Sequence, residues 1–157
     1  TVLIADEPIS ALDTSSQAQV ANLLVDLVHE FKMGMVFISH DLSIVRRISD
    51  RVAVMYLGKI VEIGSTSQIW ENPSHPYTRA LVSAIPHADG ASFMPSDLPG
   101  DVPNPMSPPS GCRFHPRCHL ALPKCTTEEP QFVTLSDNRE VSCFLQKEGE
   151  SPAPITL

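Results

Sequence analysis

The chain opens on an apolar run, Val2-Leu3-Ile4-Ala5, that passes directly into Asp6-Glu7-Pro8. So little polar interruption predicts a strand buried on both faces of a parallel sheet, and ligands of such sheets sit at the carboxyl ends of their strands. Val20, Leu23, Leu24, Leu27, Val28 and Phe31 recur at steps of three and one, the core-facing stripe of an amphipathic helix. Gly34 is expected to end that helix as a left-handed cap, and a second apolar strand, Met35 to Ser39, follows at once and ends in His40-Asp41. A strand, a crossover helix and a parallel strand pack as neighbours with one hand in nearly all cases, so His40 is expected at the same sheet edge as Glu7.

The pattern then shortens. Asp41 is placed to cap a brief helix carrying Leu42, Val45 and Ile48, and residues 50–63 predict two strands about a turn at Gly58. Ser65 and Gln68 have capping-box spacing for a helix running through Trp70. In Asn72-Pro73-Ser74-His75-Pro76-Tyr77, Pro76 suits the first turn of another helix, with Tyr77, Leu81 and Ile85 on one face and His75 expected to pack or cap. Seven of the twenty-five residues from Pro86 to Ser110 are proline and no periodicity persists, so this stretch reads as a stiffened linker. Apolar residues are concentrated in the first half, which predicts an incomplete core.

Composition narrows the function classes. Eighteen acids against eleven bases leave a formal charge of −7, which argues against a general nucleic-acid binder. No apolar run approaches the roughly twenty residues that span a bilayer, and no basic-then-apolar signal segment is visible, so cytoplasmic residence is the default expectation.

All four cysteines, Cys112, Cys118, Cys125 and Cys143, follow the proline-rich stretch, with gaps of five, six and seventeen residues. Four thiols crowded into a segment poor in apolar residues suit two disulfides or one four-thiolate metal site. A reducing cytosol favours metal, and the spacing matches neither common zinc fingers nor bacterial ferredoxins.

The first forty residues carry a resemblance. An apolar strand ending in Asp6-Glu7-Pro8, then Ser10-Ala11-Leu12-Asp13, then Phe37-Ile38-Ser39-His40-Asp41 resemble the Walker B motif, D-loop and switch histidine of an ABC-type ATPase. The resemblance implies an α/β fold, the C-terminal part of a P-loop NTPase parallel sheet with helices, followed by a small, irregular Cys-rich domain. It implies that Asp6 holds the Mg²⁺ of Mg-ATP, that Glu7 is the catalytic base, that His40 senses the γ-phosphate, and that Asp13 contacts a partner ATPase subunit. Phosphoryl transfer rests on positioning and charge neutralisation, which is why such a site needs acids and a hydrogen-bonding imidazole together. No G-x-x-x-x-G-K-[ST] and no LSGGQ-like signature occur in the chain, so it is expected to be the C-terminal part of a longer protein and inactive alone.

The segment around His75-Pro76-Tyr77 resembles the extension of oligopeptide, dipeptide and nickel importer ATPases, and Phe37 to Ser43, Met55 to Lys59 and Ser10 to Asp13 together are most similar to the second ATPase subunit of a dipeptide importer. Ile9 and Thr14-Ser15-Ser16 depart from the usual residues at their positions. Gly111-Cys112-Arg113-Phe114-His115-Pro116-Arg117-Cys118, the third cysteine and Val141-Ser142-Cys143 look like the tail of those subunits, which implies a [4Fe-4S] cluster on Cys112, Cys118, Cys125 and Cys143, with zinc the lesser expectation. His115 and His119 are expected near the cluster or on the surface, and Arg113, Arg117 and Lys124 to offset its charge.

The expected organisation is an ATPase part over residues 1–72, a helical extension over 73–85, a linker over 86–110, a Cys-rich metal-binding domain over 111–145 and a polar tail over 146–157. Expected partners are two membrane permease subunits, an identical or paralogous ATPase subunit and, indirectly, an extracytoplasmic solute-binding protein, with the ATPase on the cytoplasmic face of the membrane. The rival expectations are a metal-binding or redox-sensing module with a vestigial ATPase half, and an ABC ATPase without transport duty.

Overall fold

A computed structural model describes residues 1–85 and 98–155. The chain divides into two compact units, residues 1–50 and residue 51 onward. Most of the proline-rich linker, residues 86–97, lies outside the described residues, as do 156 and 157.

In the first unit β1 (Val2–Asp6) and β2 (Gly34–Ile38) pair in parallel, with Val2 opposite Gly34 and Asp6 opposite Ile38. Helix α1 (Thr14–Glu30) connects them and α2 (Leu42–Ile48) follows, each capped by the aspartate before it. The expected crossover is therefore present, but two details differ. Gly34 is the first residue of β2, and the left-handed residue after the helix is Lys32, at φ 50°. The chain turns two residues earlier than the glycine suggested, with Phe31 as the cap. Along α1 the most buried residue is Ala21, while Leu23 and Phe31 are more than half exposed. Gln17, Ala21, Leu24 and Val28 form the covered stripe, because their spacing of four, three and four residues keeps one face where the larger leucines alone do not.

The sheet of this unit is covered on one face only. Leu3 and Ala5 point to the covered side, whereas Val2, Ile4, Val36 and Ile38 are 46–70% exposed. The apolar run that predicted burial on both sides thus meets a two-stranded sheet with no second layer on that side among the described residues.

The second unit is built on an antiparallel sheet ordered β3-β4-β6-β5, from β3 (Arg51–Tyr56), β4 (Lys59–Ser65), β5 (Val133–Thr134) and β6 (Glu140–Val141). Leu57 and Gly58, at φ 45° and 77°, make the β3–β4 turn with both central residues left-handed, the hairpin geometry that matches strand twist. Alternation along β3 buries Val52, Val54 and Tyr56. Ser65 and Gln68 form the expected capping box on α3 (Thr66–Glu71), and α4 (Pro76–Ser83) begins at Pro76 as anticipated. Residues 111–143 add two single turns of 3-10 helix, His115–Arg117 and Pro123–Thr126. Strand β6 ties this segment to β4 through Glu62–Val141 and Ile63–Glu140 pairing. The polar tail also folds back, with Gln146 and Ile155 buried and the Gln146 amide bonded to Ala153 N and O.

A candidate ATPase half-site and a four-thiol cluster

The carboxyl ends of β1 and β2 carry Asp6 and His40, as the crossover required. Glu7 lies just past β1 at φ 47°, a left-handed backbone that costs on the order of 1 kcal/mol for a residue with a Cβ. Its amide still donates to the Ile38 carbonyl at 2.9 Å, and its own carbonyl accepts from the Ser10 amide at 3.3 Å and hydroxyl at 3.1 Å. The backbone is thereby held on both sides while the carboxylate turns to His40, whose Nδ1 lies 3.0 and 3.1 Å from its two oxygens. These residues are thirty-three apart in sequence, and the parallel pairing alone brings them together. Hydrogen bonding to Glu7, reinforced by its charge, holds the His40 imidazole above its ordinary protonation range. Asp6 is exposed beside them at the strand end.

Asp13 is used locally. Its Oδ1 accepts from the amides of Ser15 and Ser16 at 3.1 and 3.0 Å, and its Oδ2 from the Ser16 hydroxyl at 2.8 Å, which together hold its carboxyl below the usual range. It is the N-cap of α1.

In the second unit the loop before α4 is grasped from three directions. Glu62 on β4, wholly buried, accepts from the amides of Ser74 and His75 at 2.7 and 2.9 Å. Arg139 donates to the Asn72 carbonyl and to the Ser74 hydroxyl, and stands 3.6 Å from Glu62. Gln146 donates to the Ser74 carbonyl at 3.0 Å. Burial pushes the Glu62 carboxyl up despite these donors. His75 is also buried, accepts the Tyr77 amide at Nδ1 as the N-cap of α4, and is held neutral, with its pKa lowered to about 3 by burial. The rings of Tyr56, Tyr77, His75 and Phe114 pack together at centroid separations of 4.6–5.7 Å. The His75-Pro76-Tyr77 segment is therefore a structural knot between the hairpin, α4 and the Cys-rich segment. A lone glutamate in the apolar strand Ile60-Val61-Glu62-Ile63 was the available sequence signal for it.

All four cysteines are free thiols, with Cys125 buried and the others half-buried. Burial raises the thiols of Cys112 and Cys118, and takes Cys143 to about 12. Among the described residues, no three His, Cys, Asp or Glu side chains are gathered tightly enough to hold a metal ion, so the metal-ligand set expected from the sequence is not assembled at single-ion distances. Of the expected charge-balancing residues, Arg113 donates to the Leu57 carbonyl in the hairpin turn, Arg117 to Pro99, and Lys124 lies 4.2 Å over the Phe144 ring. His115 Nδ1 bonds the Cys112 carbonyl at 2.9 Å and His119 is exposed.

The first unit is thus an α/β unit with its acids and an imidazole at the carboxyl ends of two parallel strands, the edge at which ligands of open α/β sheets sit. Comparison with known proteins gives the similarities. Residues 61–125 match the oligopeptide/dipeptide transporter C-terminal region. The chain is 50% identical, over 93% of its length, to a probable peptide ABC transporter ATP-binding protein of Sinorhizobium fredii, covering 42% of it. It is 49% identical over 91% of its length to the dipeptide transport ATP-binding protein DppF of Haemophilus influenzae, and 48% identical over 92% to the oligopeptide transport ATP-binding protein AppF of Bacillus subtilis. It covers 44% and 45% of these two proteins, so it spans less than half the length of the curated relatives it matches. Over nine-tenths of its length the chain is thus similar to ATP-binding proteins of peptide ABC transporters, and its residues 61–125 to the C-terminal region of oligopeptide/dipeptide transporters.

Proposed function

We propose that this chain supplies the hydrolytic half-site of an ATPase subunit that drives import of dipeptides or oligopeptides. The observation that carries the reading is the Glu7–His40 pair at the sheet edge, in a chain about half identical to peptide-transport ATP-binding proteins. In this reading Asp6, at the strand end, would hold Mg²⁺, which would supply charge neutralisation for phosphoryl transfer. Glu7 accepts a proton from the attacking water, or orients it, from a backbone locked by Ile38 and Ser10. His40 engages Glu7 through Nδ1, so Nε2 is the nitrogen that meets a phosphate oxygen. Asp13 caps α1 and so fixes the loop that would face a second ATPase subunit. No described helix is long and apolar enough to cross a membrane, and the subunit in this reading works at the cytoplasmic face, against two permease subunits.

The four thiols are read as ligands of a [4Fe-4S] cluster. Four free thiols within residues 112–143, three of them inside the segment that matches the oligopeptide/dipeptide transporter C-terminal region, are what supports this reading. When bound, the cluster supplies one-electron chemistry or a covalent staple to a segment poor in apolar residues.

The test is a chimera in which this chain replaces the matching segment of the Haemophilus influenzae DppF. Uptake of labelled dipeptide in cells lacking that subunit is expected to return, and to be lost on Glu7→Gln. A chimera that accumulates normally without restoring uptake would contradict the transport reading.

A further inference from the structure

Within the second unit, a cavity of about 390 Å³ lies between the β3–β4 turn, the start of the Cys-rich segment and the stretch 129–132. That volume falls near the lower end of the roughly 300–1,000 Å³ usual for ligand cavities. Its walls are apolar: Ile60 and Val61 of β4, the buried Phe114 and Pro130, and Phe132, which is 46% exposed. The Ser142 hydroxyl donates to the Pro130 carbonyl at 2.7 Å and the Ser142 amide to the Val61 carbonyl at 2.9 Å, so this wall is tied to the strand before any ligand arrives. Of the four cysteines only Cys112 borders the space.

Two cations and one acid, Lys59, Arg113 and Glu129, border the same cavity, an excess of one positive charge in a chain of net charge −7. Lys59 pairs with Glu129 at 2.9 Å, and Arg113 is left over. It is half-buried, its Nη1 donates to the Leu57 carbonyl, and a Cβ added to Gly58, itself in the cavity wall, would stand 3.5 Å from that nitrogen. Among the described residues no carboxylate forms an ion pair with it. A guanidinium offers five N–H donors in a planar fork, which suits a carboxylate, and partial burial makes such a pair stronger than it would be in water.

The strand supplies a further feature. β4 pairs with β6 only at Glu62 and Ile63, and the bond from Ser142 to Val61 closes that ladder. Val61 is the extra residue of a β-bulge, since Val54 faces Glu62 while Met55 faces Ile60. Bulges end or redirect pairing and recur beside active sites. Toward Lys59 and Ile60 the outer edge of β4 therefore has no strand beside it among the described residues, and both residues border the cavity. An open strand edge is a template for an extended peptide.

We infer that this cavity binds the C-terminal residue of a short peptide, with the carboxylate on Arg113, an apolar side chain among Ile60, Phe114 and Phe132, and the peptide group along the free edge of β4. The apolar walls and the cation would suit any small apolar acid; the strand edge is what favours a peptide. The site stands apart from the ATPase and cluster readings, because it uses neither the strand-end acids nor a metal.

Titrating the isotope-labelled full chain with N-acetyl-alanyl-leucine, followed through amide NMR shifts, tests the site. Saturable shifts are expected at Lys59, Val61, Phe132 and Ser142. The same peptide ending in an amide, which lacks the carboxylate, should bind about tenfold more weakly or less, and 4-methylpentanoate, which lacks the peptide group, should also bind more weakly. No saturable shift with the acetyl peptide would overturn the inference, as would equal affinity for its amide. An acid that binds as tightly as the peptide would overturn the peptide assignment. Arg113→Gln is expected to weaken the peptide about tenfold. Because Arg113 also holds the turn at Leu57, a second variant is needed: Phe132→Asp, at an exposed position, sets a like charge beside the bound carboxylate and should weaken it similarly. Unchanged affinity in Phe132→Asp would overturn the inference.

Discussion

Glu7 biases the protonation of His40. Because the carboxylate holds the imidazole above its ordinary value of 6.5, the contact favours the charged ring: its contribution is complete below that value and is lost as pH rises through the raised one. Following the His40 ring protons by NMR should give a titration above 6.5 in the parent, moving down in Glu7→Gln, where the charge is gone. A midpoint indifferent to the substitution would refute the pairing. His75 titrates in the opposite sense. With its folded pKa lowered to about 3, it stabilises the fold fully above 6.5 and progressively less as pH falls from there toward 3, a loss on the order of a few kcal/mol. Urea unfolding at pH 7 and pH 4.5, followed through Trp70, should show this loss in the parent and a smaller one in His75→Gln. Beside it, Glu62→Ala strips two amides of their acceptor and leaves Arg139 buried with less charge to face, so about 3 kcal/mol or more of stability should disappear in the same assay.

Elements were legible where local chemistry decides them. The caps Asp41 and Ser65, the start of α4 at Pro76, the hairpin at Gly58 and the parallel crossover followed from local sequence, because a cap or a two-residue turn is satisfied by its neighbours. The end of α1 was not, since Lys32 tolerates the left-handed conformation that Gly34 was expected to supply. Nor was the covered face of α1, where small Ala21 outranks the leucines, because burial belongs to what packs against a helix. Gly111 shows how tightly one element can depend on another. At φ 66° its hydrogen faces the main chain of Cys125, and an added Cβ would stand 2.4 Å from that carbonyl oxygen. Gly111→Ala should therefore push the two segments apart, breaking the bond from Cys112 N to Cys125 O. Cys125, buried in the parent, should then react with a thiol reagent about tenfold faster or more. An unchanged rate would mean that the segments are not locked together.

At the scale of the whole chain, the catalytic candidates were readable because strand-end acids and a strand-end histidine leave a linear signature, and topology does the rest. The knot around Glu62, Arg139 and Gln146 was not, since its members come from segments up to 72 residues apart and no local pattern announces them. The tail read as polar for the same reason: Gln146 and Ile155 are placed by contacts that only the folded unit supplies. The chain contains no phosphate loop of the form G-x-x-x-x-G-K-[ST], so the purified chain should show no Mg-ATP turnover. The central claim, that Glu7 is the hydrolytic base, is tested most directly in the chimera with the Haemophilus influenzae DppF, which supplies the rest of an ATPase subunit. Mg-ATP turnover there should fall by about 10² or more on Glu7→Gln while nucleotide affinity stays unchanged. Turnover in Glu7→Gln equal to that of the parent chimera would contradict the account.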